Sequence, residues 1–217
     1  MAPGFNRYHA LLKLIHLSFS RRELSRILTP IAHAMRECQA TIERAAKSRD
    51  SDWFDAALDD ESEVTENLVG VAFVVCQAFS NSIISRIRLL HVCHKQDFNK
   101  RLTTTSGEKR DILAFANPLV GSTKFSHMQA INAAADYFKH HSEWDNSWRL
   151  TKRNRETIAI VRALGASPGC SGNLRTMSKS LGNTSYHGTG MLSEIMTRWH
   201  ARLHHAYSNE LKAAGRI

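Results

Sequence analysis

The sequence predicts an all-α protein, a helical bundle around one long central helix, with a Gly/Ser-rich loop before the C-terminal helix. Three observations predict it. Apolar residues recur at intervals of three and four through most of the chain, the period of a helix with one buried face. Gly, Pro, Asn and Thr clusters punctuate these stretches. The length of 217 residues suits one substantial core, and no internal repeat is visible, so residues 1–217 read as a single helical domain.

The N-terminal segment MAPGFNRYHALLKLIHLSFSRR is apolar but interrupted by His9, Lys13 and His16. It lacks a small-residue cleavage pattern, so no secretory signal is expected. Arg22–Lys47 places Leu24, Ile27, Leu28, Ile31, Met35, Cys38 and Ile42 on one helical face. Pro30 lies within it and predicts a kink or a fresh start. Asp50–Asp60 is acidic, contains Trp53 and Phe54, and reads as a short helical connector.

Glu61–Lys95 is the longest pattern and predicts the central helix, with Gly70 a weak point but no stop. Its most apolar run, Leu68–Phe79, is too short to span a bilayer and contains Gln77, so no membrane contact is expected. Residues 101–109, RLTTTSGEK, predict a turn or short hairpin. Arg110–Ala116 resumes a helix that Asn117-Pro118 ends. Gly121-Ser122-Thr123 offers an entry to a helix over 125–144. Arg155–Leu164 is a further helix, closed by Gly165. Residues 166–190 are rich in Gly, Ser, Thr and Asn and read as irregular. His187–Ala214 closes the chain as a helix with Met191, Leu192, Ile195, Trp199, Leu203, Ala206 and Leu211 inward.

Four cysteines, Cys38, Cys76, Cys93 and Cys170, are scattered without CxxC pairing. That usage points to a reducing, cytoplasmic setting without a disulfide framework. The formal charge of +9 attracts polyanions, with nucleic acid first and an acidic protein partner second. Arg88, Lys95 and Arg153 belong to dispersed basic groups, and Arg175 and Lys179 sit in the Gly/Ser-rich segment, where they could close over a phosphate backbone. That segment, in which Asn173 and Tyr186 also draw notice, lacks both the Walker and the dinucleotide spacing, and no cofactor is expected.

Two clusters carry potential chemistry. Within 125–148, Asn132, Asp136, Lys139, His140 and Glu143 share one helical face at spacings of three and four. In the central helix, Leu68, Ala72, Val75, Phe79, Ile83 and Leu90 form a seam that places Arg86 among apolar neighbours. A guanidinium there requires a partner. It is a catalytic or phosphate-binding group in a crevice, one half of a structural ion pair, or an Arg whose stem packs while its head reaches water. The histidine pairs His200/His204 and His91/His94 have spacing that suits metal ligation. Neither is completed by a nearby carboxylate motif, and no metal site is assigned.

Arg86-Ile-Arg-Leu-Leu-His91 resembles the Arg-to-His spacing of HEPN-domain proteins, a helical-bundle superfamily rich in prokaryotic ribonuclease toxins and antiviral defence effectors. Asp136-Tyr-Phe-Lys-His140-His-Ser-Glu-Trp144 resembles a helix ending in a group of bacterial helical proteins, where Asn stands in place of Asp136 and Arg in place of His141. The resemblance implies metal-independent RNA cleavage. Arg86 would hold the phosphate and His91 would do acid–base work, with Lys139 and His140 as a second cationic pair oriented by Asp136. It also implies a symmetric homodimer joining two half-sites. The alternative from the same residues is a non-catalytic helical module that binds a partner protein.

Overall fold

The computed structural model of the chain describes residues 3–48, 50–144, 148–182 and 189–217. It is all-α: seven helices pack around a long central one, and no strand occurs among the described residues. The helices are α1 (Pro3–Leu17), α2 (Arg21–Lys47), α3 (Ser51–Phe98), α4 (Lys109–Ala114), α5 (His127–His140), α6 (Arg155–Ala163), α7 (Asn173–Ser180) and α8 (Gly190–Ala213). A single 3-10 turn, His141–Glu143, extends α5.

Ser20 caps α2 by accepting the Glu23 N–H, and Pro30 lies inside the helix without ending it. Proline removes one N–H and so frees the Arg26 carbonyl. Both residues lie on the exposed face, where water can take that bond. The acidic stretch after it is not a separate connector. Asp50 caps Trp53 N–H at 3.0 Å, and α3 then runs unbroken for 48 residues. No Gly or Pro interrupts Ser51–Val69, so nothing in the chain stops the helix between the acidic stretch and the core. By length and composition α3 is the one described helix apolar enough to cross a membrane, with an 18-residue window of mean hydropathy 1.8, half of it buried.

The seam of α3 is rotated from the predicted one. Of the predicted seam Ala72, Ile83 and Leu90 are buried, but so are Val69, Phe73, Cys76, Ser80, Ile84 and Ile87 to one side of it, whereas Leu68, Val75 and Phe79 are only partly buried and Arg86 is exposed. α2 and α5 both pack on α3, so its buried arc is wide and extends past the side holding Leu68, Val75 and Phe79.

Gly70 has a specific role here. A Cβ at this position would lie 2.2 Å from the Phe138 ring, so glycine lets α5 settle directly on α3. From there α5 runs antiparallel to α3, and Gln77 meets Asn132 and Asp136. α8 closes the core with fully buried Trp199 and Tyr207, and Trp199 Nε1–H donates to the Ile112 carbonyl at 3.0 Å.

The segment expected to be irregular contains α7. Its N-terminus is held from a distance, because the Glu66 carboxylate accepts the Leu174 and Arg175 amides at 2.6 and 3.2 Å. Buried Asn173 ties the preceding turn together, with Nδ2 2.9 Å from Tyr137 Oη and from the Ser167 and Cys170 carbonyls. Tyr186, and the start expected at His187 for the last helix, lie outside the described residues. Residues 101–108 form a loop with no strand, and α4 begins at Lys109.

Candidate functional site

The polar face of α5 is set by its first turn. Ser126 accepts the Gln129 amide at 3.1 Å while Gln129 Oε1 accepts the Ser126 amide at 2.9 Å, a reciprocal cap. This fixes the entry of the helix, so Ile131 and Ala135 are buried while Asn132, Asp136 and Lys139 share the opposite flank. Gln77 reaches them from α3. Its Nε2 donates to Asp136 Oδ1 at 2.8 Å and lies 3.0 Å from Asn132 Oδ1, and its Oε1 accepts from Lys139 Nζ at 2.7 Å. Lys139 Nζ also stands 3.1 Å from Asp136 Oδ1, and Asn132 Nδ2 donates to Asp136 Oδ2 at 3.1 Å. Four side chains from two helices thus form one network.

Two adjoining hollows open over this network, of about 370 and 350 Å³. Asp136, Arg153 and Thr157 line both. The first is walled by Glu108, Lys109 and Arg110 at the start of α4 and by Glu156 of α6. The second is walled by His140, Glu143 and Trp144. Some charges at the rim are paired, Arg110 with Glu156 at 3.5 Å and Arg88 with Glu108 at 3.8 Å.

Lys109 is different. It is half-buried, and burial pulls its ammonium below the ordinary lysine range. Asp136 opposes that shift, while Lys139 and Arg88 reinforce it. Asp136 is therefore one carboxylate facing several cations, with Arg153 beside them. The lining is of mixed charge, Lys109, Arg110 and Arg153 against Glu108, Asp136, Glu143 and Glu156, and in this partly desolvated place a charge that reaches Lys109 interacts more strongly than on open surface. His140 completes the second hollow. Its Nδ1 lies 2.8 Å from Glu143 Oε1, and this hydrogen bond holds the Glu143 carboxyl below its usual range.

Of the residues singled out from the sequence, Asp136, Lys139, His140 and Arg153 come together, and Arg88 approaches from α3. Arg86 does not. It is exposed, and the nine residues separating it from Gln77 turn the helix by about 180°, to the side of α3 away from the groove. His91 is engaged elsewhere. Its Nε2 lies 2.8 Å from Tyr207 Oη, its ring backs onto Gly107, and burial lowers its pKa. The Arg86–His91 pair thus makes no shared cleft with the α5 stripe.

Lys95 is exposed about 27 Å along α3 from Gln77. Arg175 faces the opposite flank of α5 and pairs with Glu66 at 3.3 Å, and Lys179 lies on the exposed side of α7.

The histidine pairs are also occupied. His200 Nε2 lies 3.0 Å from the Ile15 carbonyl, and His94 Nδ1 lies 3.0 Å from the Lys100 carbonyl. Among the described residues, no three His, Cys, Asp or Glu side chains come together so as to hold a metal ion.

Sequence reasoning missed Lys109 and Gln77. Gln77 left a signal, a lone amide inside the apolar run of α3. Lys109 left none, since its burial arises only when α4 docks beside α5. The chain matches no family model, no curated protein and no solved structure.

Proposed function

We propose that this protein binds RNA, with the phosphate backbone lying in the groove between α4, α5 and α6. The observation that carries this reading is the half-buried Lys109, which lines the groove near Asp136 and Lys139 and, unlike Arg110, Arg88 and Lys139, is engaged in none of the groove's ion pairs among the described residues. A phosphate entering there supplies the missing negative charge and accepts charge-assisted hydrogen bonds. Arg153 lines both hollows and would contact a neighbouring phosphate. Trp144 at the rim offers a ring on which an unpaired base can stack, which favours a single-stranded ligand. The net charge of +9 would speed capture of such a polyanion.

One arrangement favours a second reading, metal-independent cleavage of the bound RNA. His140 is held by Glu143 beside Arg153 and the α5 cations, so an oriented imidazole stands next to groups able to neutralise phosphoryl charge. In this reading His140 moves the proton, and Arg86 and His91 take no part.

The deciding experiment measures retention of a mixed-sequence single-stranded RNA across a salt series. Affinity falling steeply with salt is expected for phosphate contacts. Lys109→Ala and Arg153→Ala should each weaken binding about tenfold and flatten the salt slope by about one. Arg86→Ala should stay within about twofold of the parent. Salt-insensitive binding, or equal losses in all three variants, overturns the groove. Incubation without metal then separates the two readings: RNA that stays intact with the parent protein removes cleavage, and RNA that His140→Ala alone leaves intact supports it.

A further inference from the structure

One face of α3, about 100° around the helix from Gln77, is uncovered along almost the whole helix. Val64, Val71, Leu89 and Val92 are 46%, 41%, 40% and 51% exposed. Between them lie Ala78, Ser82 and Ser85, also exposed. These positions recur at intervals of seven, four and three, so they form one straight stripe, apolar towards the ends and small in the middle. That stripe explains how the most apolar helix of the chain is only half buried in its most apolar window. A second helix can approach closely at the small residues and rest on the valines and Leu89 at either side.

The charge along α3 specifies what that second helix is. Residues 50–66 hold eight of the chain's 20 acidic residues and no Lys or Arg. The other end of the helix and its exit carry Arg86, Arg88, Lys95, Lys100 and Arg101 against Asp97 alone, which is already bonded by Arg7 and Tyr8. A helix acidic at one end and basic at the other is complementary to a reversed copy of itself.

We infer that a second copy of this chain docks antiparallel on this face, about a two-fold axis near Ala78. With the axis there, Val64 comes level with Val92 of the other copy, and Asp60 and Glu63 come within about a turn of its Lys95. Glu63 and Lys95 lie on the same flank of the stripe, and a two-fold axis perpendicular to two antiparallel helices brings like flanks together. Both ends of the interface are thus closed by acid-to-base contacts, while a parallel pairing sets acid against acid. The stripe borders the proposed RNA groove at Arg88, but its test requires no nucleic acid.

Analytical ultracentrifugation of the full chain provides that test. The parent protein is expected to sediment as a dimer at micromolar concentration, and Val71→Asp as a monomer with unchanged helical circular dichroism. Asp60→Lys/Glu63→Lys sets lysines against Lys95 of the other copy, and Lys95→Glu/Lys100→Glu sets a glutamate against its Asp60 and Glu63. Each double variant alone should raise the dimer dissociation constant at least tenfold. An equimolar mixture of the two should recover dimers, because the substituted lysines of one copy then face the substituted glutamates of the other while the unchanged Lys95 and Asp60/Glu63 face each other at the opposite end. A parent that stays monomeric, or a mixture that dissociates as readily as its components, overturns the inference. Flotation of a monomeric parent with phosphatidylcholine vesicles would also overturn it and assign the stripe to lipid.

Discussion

The two flanks of α5 differ in how completely the fold satisfies them. On one, Phe138 lies on Gly70, Tyr137 is buried, and Asn173 uses both its amide nitrogen and its oxygen. On the other, Asp136 is shared between Gln77, Asn132 and Lys139, and Lys109 stands beside them with its ammonium disfavoured by burial. The same fourteen residues therefore do two jobs. The satisfied flank holds the bundle together. The other leaves Lys109 half-buried among charged neighbours, the cation that the proposed phosphate would meet.

Substitutions can break that contrast from either side. The largest effect is expected from Gly70→Val, whose side chain must displace the Phe138 ring; urea unfolding should show a loss of about 3 kcal/mol or more. Phe138→Ala in the same background should return part of it, a coupling that a double-mutant cycle measures. Asn173→Ala comes next. It strands the Ser167 amide and the Tyr137 hydroxyl in a buried turn and should cost about 2 kcal/mol. Neither change should alter the salt slope of RNA binding in protein that remains folded.

Lys109→Ala is the reverse case. Its stability should stay within about 0.5 kcal/mol of the parent, while RNA affinity drops about tenfold. If it destabilises as much as Asn173→Ala, the two flanks do not differ in kind.

The smallest effect belongs to a site outside both flanks. His16, His200 and His204 bring their rings within 5.3–6.5 Å of one another between α1 and α8. Burial, together with the neighbouring imidazoles, lowers the pKa of His200 and of His204. The unfolded chain therefore binds protons more readily than the folded one, and this contribution to stability is complete above the ordinary histidine pKa of about 6.5 and is lost as pH falls below it. His204→Gln should flatten the decline in melting temperature between about pH 7 and 5 and leave the pH 8 value nearly unchanged.

The helices were legible because each carries the apolar period of a packed face, and the stripe on α5 was legible because its polar members share one arc. The orientation of α3 was not. A helix covered by neighbours on two sides has so wide an apolar arc that several seams fit it, and the one chosen put Arg86 inside. Helix α7 was illegible for another reason. Its eight residues hold only two apolar side chains, Leu174 and Met177, inside a stretch rich in Gly, Ser, Thr and Asn, and its stabilising cap is Glu66, 108 residues earlier in the chain. Lys109 follows the same logic, since its environment is made by α5, not by its sequence neighbours.

Gly70 and Gln77 stand seven residues apart, two full turns, so the contact that seats α5 and the amide that grips its acid point the same way. That spacing acts as a phase constraint. One residue inserted between them would swing Gln77 about 100° out of alignment and dismantle the network, and seven inserted residues would restore the angle but carry Gln77 about 10 Å along the axis, past its partners on α5.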